Sequence, residues 1–190
     1  MDACVRSARE RLSPYDFGTD DEVLAGVVGS LLQERGQSLS TAESCTSGLI
    51  SSAIVDVPGS SDWFRGGWVV YSNEMKIDCL ELSPSLIEAS GAVSREVVEA
   101  MARGSIARSG SDWALAVSGI AGPGGGTAEK PVGTVWIACH GPGVEVQRCF
   151  RFTGGRSIVR QRAAAASLQM LRWCLAGHDP KTVMSWDAGS

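Results

Sequence analysis

The chain has 190 residues, 44% of them hydrophobic, a size at which one core can bury most of the apolar surface, so a single domain is expected. A net charge of -4 argues against a surface that neutralises a nucleic-acid backbone, and nucleic acid is not expected as a partner. No stretch approaches the roughly 20 apolar residues that cross a bilayer and Met1 to Arg6 does not open a secretory signal, which predicts a cytoplasmic protein without membrane association.

In chain order, residues 1–18 and 177–190 show no sustained period and read as tails around a domain over 19–176. Thr19-Asp20-Asp21-Glu22 has the spacing of a capping box, and Val23, Val27 and Leu31, flanked by Leu24 and Val28, repeat at helical intervals before Gly36. A short strand over Ser38–Ala42 is expected to turn through Glu43-Ser44-Cys45-Thr46-Ser47-Gly48 into a helix carrying Leu49, Ile50, Ala53, Ile54 and Val57, stopped by Pro58-Gly59. Gly67–Tyr71 reads as a strand, the segment from Ser72-Asn73 to Leu82 as a helix, and Ser94 as the cap of a helix with Val98, Met101, Ala102 and Ile106. Trp113–Val117 is a continuous apolar run suited to a strand buried on both faces. Val132–Cys139 and Val144–Phe152 flank a Gly141-Pro142-Gly143 turn as a hairpin, and a last helix over Arg156–Ala176 buries Val159, Ala163, Ala166, Met170 and Cys174. Strands alternating with helices predict an α/β fold, a three-layer α/β/α sandwich on a mixed, mostly parallel sheet with an antiparallel hairpin.

Chemistry is sparsely supplied. The six cysteines, Cys4, Cys45, Cys79, Cys139, Cys149 and Cys174, form no C-x-x-C pair and have no His-x-His partner, so neither a zinc site nor a thioredoxin motif is written and reduced, mostly buried thiols are expected; no metal and no cofactor is expected for this chain. The two histidines, His140 beside a turn and His178 in the tail, disfavour a Ser-His-Asp triad. Lysine occurs at positions 76, 130 and 181 only; Lys76 follows a strand, where burial would lower its pKa and make it a usable base, although a solvated helix residue fits the same spacing. Serines crowd the region at Ser44, Ser60, Ser61 and Ser72, and spacing alone does not select a nucleophile among these cap and turn positions. The loop Ser118–Thr127 holds five glycines in ten residues at the end of a buried strand. It leads through Lys130-Pro131 into another strand, not a helix, which excludes a dinucleotide fingerprint or P-loop and leaves a nest of backbone N–H groups for an anion, or a plain flexible loop.

Six segments in order carry a further likeness: Thr41-Ala-Glu-Ser-Cys-Thr46, Gly59-Ser-Ser-Asp-Trp-Phe64, Gly66-Gly-Trp-Val-Val-Tyr-Ser-Asn-Glu-Met-Lys76, Gly91-Ala-Val-Ser94, Ser118-Gly-Ile-Ala-Gly-Pro-Gly-Gly125 and Lys130-Pro-Val-Gly-Thr134. Together they resemble the competence/damage-inducible CinA C-terminal domain over about residues 20 to 176. Longer members of that family add an N-terminal domain similar to molybdopterin-binding proteins; the resemblance here is to the stand-alone nicotinamide-mononucleotide deamidases. It implies hydrolysis of the nicotinamide carboxamide to a carboxylate and ammonia, for NAD recycling, on a small-molecule pyridine nucleotide and in a homodimer. The implied machinery is Ser61 as nucleophile and Lys76 as base, with Tyr71 polarising or positioning the pair. Ser44, the alternative nucleophile to Ser61, lines the pocket with Ser118, the loop with Gly119, Gly122, Gly124 and Gly125 supplies N–H groups, and Arg156 binds the phosphate. The chain departs from the family pattern at Thr46-Ser47-Gly48, usually Thr-Gly-Gly, and at Gly154-Gly155-Arg156, usually Gly-Asp-Arg; the missing aspartate puts the placement of Arg156 in question. A non-catalytic nucleotide-binding or interaction module is the alternative, and retention of Ser61, Tyr71 and Lys76 together favours an enzyme.

Overall fold

The computed structural model of the chain describes residues 3–18 and 21–183. Strands β1 (Leu39–Glu43), β2 (Phe64–Val69), β3 (Trp113–Gly119), β4 (Thr134–Gly141) and β5 (Val144–Arg151) form one sheet in the order β2-β1-β3-β4-β5. β1 pairs in parallel with both β2 and β3, while β3–β4 and β4–β5 are antiparallel. Only β4 therefore runs against the other strands, and the sheet is mixed but mostly parallel in direction, with β4 and β5 as the expected hairpin around Pro142-Gly143.

Alternation along β1 and β3 sorts the two cores. Leu39, Trp113, Leu115 and Val117 face one side, joined there by Val135 and Ile137, and are covered by α2 (Leu24–Glu34), α3 (Leu49–Val55) and α7 (Arg156–Leu175). The opposite face is built from Ala42, Ala114, Ala116 and Ala138, so little side chain stands between the sheet and α6 (Arg95–Ser109), which packs there with α4 (Asn73–Leu80) and α5 (Pro84–Ser90). A Cβ on Gly104 of α6 would come within 2.3 Å of the Leu80 carbonyl oxygen, and this close approach seats α4 at the sheet edge. Ser94 caps α6 as its position predicts, its Oγ accepting from Val97 N–H at 3.3 Å. α5 goes unread in the sequence because seven residues are too few to show a period, although Ser83-Pro84 is a fair start signal.

Three sequence readings change. The N-terminal segment contains a helix, α1 (Ala3–Leu12), and the chain after it docks on α7: Arg172 donates to the Pro14 and Asp16 carbonyls, Trp173 Nε1 donates to the Pro14 carbonyl at 2.9 Å, and the Tyr15 and Trp173 rings meet edge to face at 5.9 Å. The charges of α1 hide its period, and its anchor lies more than 150 residues away in sequence. The second tail likewise begins as a docked segment, α8 (Pro180–Val183), with Arg148 of β5 donating to the Pro180 carbonyl at 2.6 Å; residues 184–190 lie outside the described residues. The capping box falls partly on Thr19 and Asp20, also outside them, and α2 starts after Val23 with no side-chain cap bond. The inward face of α2 is Ala25, Val28, Gly29 and Leu32, one position round from the expected stripe, and Val23 is exposed. Gly29 explains the phase: a Cβ there would lie 2.6 Å from the Trp63 ring, so the bare backbone is the surface the indole packs on.

Among the described residues no helix is long and apolar enough to cross a membrane. The C-terminal ends of β1, β2 and β3 lie side by side, with the connection after β1 leaving to one face and that after β2 to the other. Open α/β sheets place ligands at such a point. Gly104→Ala is expected to lower stability by about 1–2 kcal/mol in a thermal or urea melt, because the clash with Leu80 outweighs the gain in helix propensity.

Candidate active site

A cleft of about 250 Å³ opens at the ends of these three strands. Ser44 and Cys45 enter it from the turn after β1, Tyr71, Asn73 and Lys76 from the turn and helix after β2, and Ser118, Gly119 and Ala121 from the end of β3. Ala92 and Val93 form a wall before α6, and Arg156 of α7 stands at the mouth.

The turn after β1 is held from below by its own strand. Glu43 is fully buried, and its carboxylate accepts from Gly48 N–H at 2.9 Å, Ile50 N–H at 3.2 Å, Ser51 N–H at 2.9 Å and Ser51 Oγ–H at 2.7 Å. These donors open α3 and would otherwise be orphaned. Ser44 N–H still continues the ladder to Val117 O at 2.9 Å, so its side chain is carried to the cleft floor by β1 itself. Ser47 and Gly48 both take positive φ, 52° and 92°; Ser47 stands at the first of the paired glycines of the family pattern and still adopts the left-handed conformation.

Lys76 is 1% exposed. Its Nζ donates to the carbonyls of Val70 at 3.0 Å, Tyr71 at 3.1 Å and Ser72 at 3.3 Å, and lies 3.4 Å from Ser44 Oγ. Burial pushes the amine below the ordinary lysine value, opposed by the weaker pull of Cys45 and Glu74. Desolvation also raises the Cys45 thiol to about 12, so at neutral pH it carries no charge to oppose the shift and is no rival nucleophile. A neutral amine can give two N–H groups to carbonyls and turn its lone pair to the Ser44 hydroxyl, the arrangement of a general base beside a nucleophile.

Arg156 bridges the mouth. One terminal nitrogen donates to Gly122 O at 3.0 Å and the other to the Tyr71 hydroxyl at 3.1 Å, leaving further N–H groups on the same fork for an anion. These two contacts supply the anchoring that the absent aspartate at position 155 raised as a question. Ser118 Oγ–H donates to Ala92 O at 2.7 Å and so braces the apolar wall. Gly119 allows a close approach to β4, since a Cβ there would lie 2.6 Å from Val135 Cγ2. Gly122 turns its carbonyl to Arg156, while Gly124 and Gly125 are exposed and stand outside the cleft lining.

The structure does not bring Ser61 to Lys76. Ser61 is exposed in a 3-10 turn (Ser60–Asp62) that precedes β2, whereas Lys76 follows it. Six strand residues at about 3.3 Å each separate the two, so they lie at opposite ends of β2, and the hydroxyl at Lys76 is that of Ser44. Tyr71 contributes its carbonyl to Lys76 and its hydroxyl to Arg156. Glu43, Asn73 and Arg160 were not singled out in the sequence; Arg160 is the one with a readable signal, four residues after Arg156 and so on the same side of α7.

These features define an α/β domain with a buried serine–lysine pair and an arginine at the mouth of its cleft. The CinA C-terminal domain family model matches residues 21–175, and the chain belongs to that family. It is 46% identical over 172 residues to a CinA-like protein of Desulfotalea psychrophila, covering 90% of this chain and 42% of that protein. Against a CinA-like protein of Geotalea daltonii it is 52% identical over 164 residues, covering 86% and 40%. The chain thus spans about two-fifths of the length of these relatives. Among solved structures, competence/damage-inducible protein CihA of Agrobacterium tumefaciens matches with a TM-score of 0.78 at 39% identity, covering 85% of this chain and 98% of that one. Competence damage-inducible protein A of Klebsiella pneumoniae matches with a TM-score of 0.78 at 35% identity, covering 80% and 95%.

An aryl sulfonyl fluoride is expected to label Ser44 and not Ser61, as read by peptide mass spectrometry. Because only the neutral amine accepts the serine proton, the labelling rate should rise with pH through the lowered pKa of Lys76 and level off above it; a flat profile would remove Lys76 as the base.

Proposed function

We propose that this domain hydrolyses the carboxamide of a pyridine nucleotide, converting nicotinamide mononucleotide to nicotinic acid mononucleotide and ammonia, with Ser44 as nucleophile and Lys76 as general base and acid. The observation that carries the reading is the Lys76 amine, buried and depressed in pKa, 3.4 Å from Ser44 Oγ in a cleft that opens onto Arg156. Ser44 would give its proton to Lys76 as Oγ attacks the amide carbon, and Lys76 would pass that proton to the departing nitrogen, releasing ammonia and leaving an ester on Ser44. Water then attacks the ester with Lys76 taking one of its protons, the ester bond breaks as that proton passes to Ser44 Oγ, and the released acid gives its remaining proton to solvent and leaves as the carboxylate. Arg156, held by Tyr71 and Gly122, is suited to the nucleotide phosphate, while Ala92 and Val93 offer an apolar wall to the pyridine ring.

The test is ammonia release from nicotinamide mononucleotide, nicotinamide riboside and NAD. Ser44→Ala and Lys76→Met should each lower turnover by about two orders of magnitude or more, and the double variant should be scarcely worse, since either loss disables one step. Ser61→Ala should stay within about twofold of the parent protein, as expected of an exposed turn residue. Arg156→Ala, and less severely Tyr71→Phe, should raise KM more than they lower kcat. An inactive Ser61→Ala beside an active Ser44→Ala would reverse the assignment, and no ammonia from any of the three substrates would remove the amidase reading.

A further inference from the structure

Arg160 lies one helical turn beyond Arg156 on α7 and outside the residues that line the cleft. Its guanidinium reaches back to the turn that carries Ser44: Nε donates to Cys45 O at 3.0 Å and a terminal nitrogen to Thr46 O at 2.9 Å. Cys45 O has no other backbone partner among the bonds of the described residues, and Thr46 O has only a long 3.4 Å contact from Leu49 N–H. Neither carbonyl is part of the ladder or of a regular helix turn, so without the fork this stretch has little to define it. A planar peptide bonded at its oxygen has its N–H direction set as well, and two consecutive peptides held by one rigid fork leave the turn few alternatives. Below the turn Glu43 grips Gly48, Ile50 and Ser51, and before it Ser44 N–H is tied to Val117 O. Arg160 is the remaining side of that clamp.

We propose that Arg160 is a positioning residue for Ser44: by holding the Cys45 and Thr46 carbonyls it keeps the Ser44 hydroxyl at the Lys76 amine, and it sets a permanent positive charge behind the turn where negative charge would develop in acyl transfer. Its field reaches the neighbouring side chain, since Arg160 draws the Cys45 thiol downward against the larger effect of burial. The two arginines of α7 thereby divide their work, Arg156 facing the ligand and Arg160 facing the nucleophile's turn. The inference rests on the assignment of Ser44 as nucleophile, and its first readout does not depend on that assignment.

The experiment compares Arg160→Ala, Arg160→Gln and Arg160→Lys with the parent protein. Amide exchange followed by NMR at Gly48, Ile50 and Ser51 should quicken by about tenfold or more in Arg160→Ala and Arg160→Gln while the β3 amides keep their protection, the mark of local opening. Arg160→Lys, able to reach one carbonyl, should fall between. On nicotinamide mononucleotide, kcat should drop by about tenfold to a hundredfold with KM little moved, the signature of a misplaced reacting group and the opposite of Arg156→Ala. Unchanged exchange at the three amides overturns the clamp whether or not the protein releases ammonia. Faster exchange with an unchanged rate of Ser44 sulfonylation overturns the link from clamp to nucleophile. An inactive parent protein in which the exchange and sulfonylation effects persist supports the clamp and removes only the substrate assignment.

Discussion

A lysine amine carried almost wholly out of water has to be given back the hydrogen bonds that water supplied, and much of the local structure follows from how that is done for Lys76. The carbonyls of Val70, Tyr71 and Ser72 converge on Nζ, so the chain leaving β2 curls around the amine that its own next helix delivers. The curl requires α4 to start immediately, which Ser72 secures by accepting from Met75 N–H at 3.2 Å. It also requires α4 to sit close against α6, which the absence of a side chain at Gly104 permits. Hydrogen bonds to carbonyls favour the charged ammonium, while burial draws the amine below the ordinary lysine value, the direction a base requires.

The partner of that amine is fixed by equally local means. Ser44 is the first residue beyond β1, aligned by the last parallel ladder bond to β3, and the turn behind it is gripped by Glu43 on one side and Arg160 on the other. Arg156 is set by contacts to Tyr71 and Gly122, which come from the chain after β2 and the glycine loop after β3. Ser44 and Lys76 are thus held by backbone groups at strand ends and Arg156 by groups from the chain just beyond them, consistent with the rule that open α/β sheets bind ligands where their parallel strands terminate.

What could be read from the sequence follows from the range of the interactions involved. The α7 pattern, the Ser94 cap and the buried run of β3 are written in neighbouring residues, so period and cap signals locate them. Arg156 was reached only through the resemblance to the CinA C-terminal domain, whereas Lys76 was legible as a candidate base because lysine is scarce. The pairing of Lys76 with Ser44 was not, since 32 residues separate them and their meeting depends on the β1–β2 register, while Ser61 stands closer in sequence but on the wrong side of β2. The docking of the N-terminal segment on Trp173 escaped for the same reason, and Glu43 was invisible because a buried carboxylate that caps a helix from within a strand looks like any charged turn residue.

The most direct test of this account is the ionisation of Lys76 itself. In protein labelled with 13C at lysine Cε, three resonances are expected, one for each of positions 76, 130 and 181, and the one missing in Lys76→Met identifies the buried amine. Its titration midpoint should lie clearly below the roughly 10.4 of a free lysine side chain, and Ser44 sulfonylation should follow the same curve. A midpoint at or above that value would mean that the three carbonyls hold a permanent ammonium, and Lys76 would then be a structural cation instead of the base beside Ser44.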